Sequence, residues 1–101
     1  MSFRENSEWN ELNELRSLVI FKKLESLGFP RNKQMELCKA MALKTNLDAS
    51  NISAKVSNFK SVAGINKPSN ASVNTKEIYK KYGDLSLSEV EAKLSKIEVG
   101  I

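Results

Sequence analysis

Residues 33–62, KQMELCKAMALKTNLDASNISAKVSNFKSV, decide the fold. Their apolar side chains recur at helical spacing, in two short runs parted by a polar turn. In the first run Met35, Cys38, Met41 and Ala42 share one face, and Leu37 broadens it. That helix opens after Asn32, a suitable N-cap, and ends near Leu43–Lys44. Thr45-Asn46-Leu47 is short and polar enough for a turn. In the second run Ile52, Val56 and Phe59 fall at i, i+4 and i+7 and mark the buried side. Asp48 is its N-cap, and Leu47 ahead of it is placed to pack on Ile52 as a hydrophobic staple. Two helices joined by so tight a turn predict a helix-turn-helix core.

Upstream, the spacing predicts a first helix from about Ser7 to Leu27. Trp9, Leu12, Leu15, Val19, Ile20, Leu24 and Leu27 form its apolar stripe, and Arg16, Lys22, Lys23 and Glu25 lie off it. Gly28 stands where a left-handed residue closes a helix, and Pro30 prevents its resumption. Downstream, Val73, Asn74, Glu77 and Ile78 give a staple with a capping-box-like pair, opening a helix that stops at Gly83. Leu85, Ser86, Glu89 and Val90 repeat that signal. They open a last helix with Leu87, Val90, Leu94 and Ile97 on its face. Residues 62–73, rich in Ser, Asn and Gly, read as an ordered connecting loop, with a short wing as the alternative. The expectation is one all-α domain over residues 1–101, with about five helices and frayed ends at 1–6 and 99–101.

Composition narrows the chemistry. The chain of 101 residues is 41% hydrophobic and 28% charged, ordinary for a folded domain. Its longest apolar run, Leu18-Val19-Ile20-Phe21, is far below the roughly 20 residues of a membrane span. The N-terminus has no signal core, and the single Cys38 suits a reducing cytoplasm. There is no histidine, which excludes a His-dependent triad, a zinc hydrolase and an HNH-type metal nuclease within these residues. Glu8, Glu11, Glu14, Glu89 and Glu91 read as surface acids. No catalytic residue, metal or cofactor is expected. Cys38 and Trp9 read as core, and Tyr79 and Tyr82, beside Lys80 and Lys81, as structural.

Charge then selects a partner. Residues 31–67 hold seven bases (Arg31, Lys33, Lys39, Lys44, Lys55, Lys60, Lys67) against Glu36 and Asp48, a local net of +5. Residues 1–30 carry four bases and five acids, and residues 68–101 five of each, so the chain's +4 comes from the middle. A basic helix-turn-helix points to double-stranded DNA. With Ile52, Val56 and Phe59 turned to the core, the far side of the third helix holds Ser50, Ala54, Ser57 and Ser61, with Asn51 and Asn58 beside them; Ser53 is counted with them as a candidate DNA contact. These side chains are short enough to enter a groove about 12 Å wide, where Asn pairs with adenine and Ala meets a thymine methyl. Lys55 and Lys60 are expected on the flanks, against phosphates. Arg31, Lys33, Lys67 and Asn70 complete the candidate DNA contacts, for about four to six phosphates in all.

Ser50 to Val62, followed by Gly64-Ile65 and Ser69-Asn70-Ala71-Ser72, resembles the small N-terminal domain that precedes the catalytic module of many bacterial HNH-type endonucleases. The resemblance is carried by Lys55-Val56-Ser57-Asn58-Phe59-Lys60-Ser61, the Gly-Ile step and the Ser-Asn-Ala-Ser element, with Ile78-Tyr79-Lys80-Lys81-Tyr82 in place of an aromatic helix. It implies target recognition without catalysis, either as a piece of such a nuclease or in a phage or mobile-element regulator. The alternative partner is a protein: a small phage-encoded inhibitor or adaptor would use the same basic face against a bacterial nucleoprotein defence complex. The sequence leaves the oligomeric state open.

Overall fold

The computed structural model describes residues 9–30, 32–65 and 73–100. Five helices follow one another: α1 (Glu11–Leu27), α2 (Lys33–Ala42), α3 (Ala49–Val62), α4 (Val73–Tyr82) and α5 (Leu87–Gly100). No strand occurs among the described residues, so the all-α, five-helix expectation holds. The described part measures 33 × 26 × 24 Å.

Local chemistry sets most of the helix ends. Asn10 adopts extended backbone, and its Oδ1 accepts the Asn13 N–H at 2.9 Å. This cap starts α1 at Glu11 rather than Ser7, and Trp9 precedes the helix instead of opening its stripe. Gly28 closes α1 at φ +79°, with the Phe29 N–H on the Leu24 carbonyl at 2.8 Å. Phe29 also has positive φ, +56°, the left-handed region that few residues other than glycine adopt. Asn32 has helical backbone and no side-chain cap bond, so the expected N-cap of α2 is not made. Asp48 does cap α3, its Oδ1 accepting the Asn51 N–H at 2.8 Å. Gly64 at φ +81° closes α3, with the Ile65 N–H on the Lys60 carbonyl at 2.9 Å.

The two later start signals diverge. At α5 the capping box forms: the Ser86 N–H donates to Glu89 Oε1 at 3.0 Å, and the Glu89 N–H to Ser86 Oγ at 3.2 Å. Those bonds from Ser86 hold the Glu89 carboxyl below its ordinary value. At α4 the staple fails. Val73 is 73% exposed and already helical, and Asn74 lies inside the helix. Residues 66–72, most of the loop or wing of the expectation, lie outside the described residues, as do residues 1–8 and 101.

α1 is the axle of the fold, packing against all four other helices, while α2 packs on α3 and α3 on α4. Leu15, Leu18, Phe21 and Leu24 are fully buried, and Val19 and Ile20 nearly so. Leu27, placed on the stripe by its spacing, is 56% exposed. Phe21 is the aromatic hub, with ring centroids 5.8 Å from Phe29, 6.4 Å from Phe59 and 6.1 Å from Tyr79. Lys22, expected off the stripe, is buried instead. Its Nζ donates to the Gly83 carbonyl at 2.6 Å and ties the α4–α5 corner to α1.

Candidate nucleic-acid interface

α3 has three distinct sides. Ile52, Val56 and Phe59 are fully buried, as their spacing requires. A second side meets α2. The Gln34 amide nitrogen donates to the Ser53 carbonyl (3.1 Å), Ser53 Oγ (2.9 Å) and Ser57 Oγ (3.2 Å). Its oxygen accepts from Lys60 Nζ at 2.5 Å. The amide orientation follows from chemistry, since an ammonium only donates and must therefore face the oxygen. Lys60 also lies 5.3 Å from the centre of the Phe29 ring. One glutamine thus fixes α2 against α3 across about two helical turns.

The third side is open. Ser50, Asn51 and Ala54 are exposed, while Asn58 and Ser61 are half-buried beside them. Ser61 Oγ donates to the Ser57 carbonyl at 3.2 Å. The short-sided strip expected from sequence therefore exists, but it is narrower. Ser53 and Ser57 are turned toward Gln34 and leave it.

The lysines of α3 do not flank this strip. Lys55 is only 9% exposed and points inward. Its Nζ pairs with Glu14 Oε1 at 2.9 Å and donates to Thr75 Oγ1 at 2.8 Å. The Thr75 hydroxyl donates onward to Glu14 Oε1 at 2.9 Å. Glu14 and Thr75 are fully buried, and Trp9 covers the ammonium, 4.6 Å from the ring centre. A buried ammonium needs a carboxylate and further bonds to offset its lost hydration, and α1 and α4 supply them. Lys55 is thus withdrawn from the DNA-contact set, Glu14 is no surface acid, and Lys60 is held by Gln34 and Phe29 rather than offered to a phosphate.

Of the remaining candidates, Lys33 pairs with Glu36 at 3.1 Å on the surface of α2. Arg31, Lys67 and Asn70 lie outside the described residues. Lys39 and Lys44 are exposed on or just after α2 and form no ion pair among the described residues. They are the cations that the charge count held but the site reading did not single out.

Cys38 is fully buried on the inner face of α2. Burial pushes its thiol up to about 11, with the Lys60 charge acting in the opposite direction. Alkylation of the native protein near pH 8 will therefore run about two orders of magnitude slower than in denaturant. A native rate close to that of the unfolded chain would contradict this placement.

No group of three or more His, Cys, Asp or Glu among the described residues is placed to hold a metal ion. No helix among them is long and apolar enough to cross a membrane. Comparisons with models of protein families, with curated proteins and with solved structures find no match to this chain.

Proposed function

We propose that the chain is a non-catalytic double-stranded DNA-binding domain that lays the open strip of α3 in a major groove. The observation carrying this reading is the strip itself: exposed Ser50, Asn51 and Ala54, opposite three fully buried apolar residues, on a helix fixed to its neighbour by Gln34. Small side chains let the backbone approach base edges; Asn51 suits adenine and Ala54 a thymine methyl. Rigid docking of α3 on α2 leaves little ordering to be done on binding. Phosphate contact falls mainly to Lys39 and Lys44, with Arg31, Lys33, Lys67 and Asn70 added on the sequence reading. The resemblance to the N-terminal domain of HNH-type endonucleases suggests target recognition as its role, in a nuclease or in a phage or mobile-element regulator.

Withdrawing two lysines lowers the expected salt dependence. Duplex affinity should fall with a log–log slope of about −2 to −4, rather than the −4 to −6 implied by the charge count. Replacing Lys39 and Lys44 together with alanine should weaken binding to every sequence alike and reduce the slope by about two. Asn51→Ala should instead relax base preference at one position, by about 1–3 kcal/mol. Titration of labelled duplexes at several salt concentrations reads all three. No duplex binding at low salt would refute the proposal and turn attention to an acidic protein partner.

A further inference from the structure

Arg16 and Lys44 converge on one polar groove of about 410 Å³, between the start of α1 and the turn joining α2 to α3. Asn10, Asn13, Thr45 and Asn46 also line it, and no carboxylate does among the described residues. Arg16 is half-buried, and its guanidinium is steadied by a bond from Nη1 to Asn13 Oδ1 at 2.9 Å. Neither cation is ion-paired among the described residues, whereas Lys22, Lys33 and Lys55 all are. A second groove, of about 270 Å³, shares both cations and reaches Glu91 and Glu98 of α5, yet neither acid closes a salt bridge to them. Two positive charges on one concave wall, neither held in an ion pair among the described residues, favour an arriving anion.

We infer that this groove is a seat for a phosphate group. The planar guanidinium fork suits two phosphate oxygens and the Lys44 ammonium a third. Asn10 commits its Oδ1 to the Asn13 N–H, which leaves its Nδ2, a donor, for the ligand. The assignment of that phosphate to a DNA strand rests on the reading above. α3 begins three residues after Asn46, a reach of at most about 11 Å. A duplex lying over Ser50 and Asn51 would therefore run a backbone past the groove. Arg16 belongs to no helix of the helix-turn-helix pair, so the charge pattern of residues 31–67 does not reveal it.

The test is an amide-resolved NMR titration of the whole chain, with sodium pyrophosphate in one arm and a short duplex in the other. Pyrophosphate should move the amides of Asn13, Thr45 and Asn46 saturably, while sodium chloride at equal ionic strength does not. Lys44→Gln, at an exposed position that spares the core, should weaken pyrophosphate binding about tenfold, the worth of one charge-assisted hydrogen bond. Arg16→Lys should bind between the native chain and Arg16→Gln, because it keeps the charge and loses the fork. In the duplex arm Lys44→Gln should lower the salt slope by about one. No saturable shift with pyrophosphate, or unchanged shifts in Lys44→Gln, would overturn the seat. Pyrophosphate binding without duplex binding supports the seat for a free phosphate ligand and removes the DNA reading. Duplex binding that Arg16→Gln leaves unaltered overturns the assignment of the seat to a DNA strand and leaves the reading of the α3 strip standing.

Discussion

Lys55→Ala will cost about 3–5 kcal/mol of stability, the loss seen when one partner of a buried ion pair is removed. That is a large share of the roughly 5–15 kcal/mol that holds a domain together. The cause is not the missing attraction alone. Truncation strands the Glu14 carboxylate, fully buried, with the Thr75 hydroxyl at 2.9 Å left to stabilise it among the described residues. It also opens a gap beneath Trp9, whose ring lies 4.6 Å from the ammonium. Glu14→Ala should match it, leaving the ammonium unpaired instead. The double replacement Lys55→Met with Glu14→Leu should recover most of the loss, because it removes both desolvated charges and keeps the volume. Urea melts of the native chain, the two alanine variants and the double replacement read these losses side by side. A single-variant loss below about 1 kcal/mol would be the behaviour of a solvated pair and would refute the buried geometry. Reduced DNA binding by Lys55→Ala would thus report unfolding, not a missing phosphate contact.

α3 was legible because every signal it needs is local. Its apolar residues repeat on one face, Asp48 stands directly before it, and Gly64-Ile65 ends it. α1 departs from the single stripe its spacing predicts. Leu18-Val19-Ile20-Phe21 points in four successive directions about 100° apart, so no single neighbour can cover it. A helix of that pattern belongs in the middle of a fold, and α1 is surrounded by the other four.

The buried charges left a fainter trace. Glu14 precedes Leu18 and Phe21 by four and seven positions, which puts it on the buried side of α1. Lys55 lies between Ile52 and Phe59 at helical steps from each. A charge on an apolar stripe announces a partner, but spacing does not name one 41 residues away in sequence. The same limit explains Lys60, whose withdrawal depends on Gln34 of another helix. A count of basic residues measures charge, and only packing shows which charges remain outside. Val73 makes the converse point: the staple pattern is present in sequence, yet this valine is 73% exposed, because a motif forms only where its partners are brought to meet.

Gly83→Ala should be the most damaging glycine substitution among the described residues, costing upward of the 1–3 kcal/mol typical of overpacking. Its backbone is not left-handed, so the reason is space. A Cβ there would overlap the Tyr79 carbonyl oxygen and stand 3.0 Å from two carbons of the Tyr79 ring. The oxygen is backbone in the last turn of α4 and accepts the Gly83 N–H at 2.6 Å, so it has nowhere to go. The ring is held edge-on to Phe21, 6.1 Å away at 80°, and moving it disturbs the aromatic hub. The Gly83 carbonyl is also the acceptor for buried Lys22 Nζ at 2.6 Å, so a displaced corner leaves an ammonium short of a partner. Gly28→Ala and Gly64→Ala meet no atom within 4 Å and carry only the left-handed cost, about 1–2 kcal/mol each. Thermal melts of the three variants should therefore rank Gly83→Ala lowest by several degrees. If Gly83→Ala melts with or above the other two, the Tyr79 carbonyl and ring stand farther from position 83 than this geometry places them.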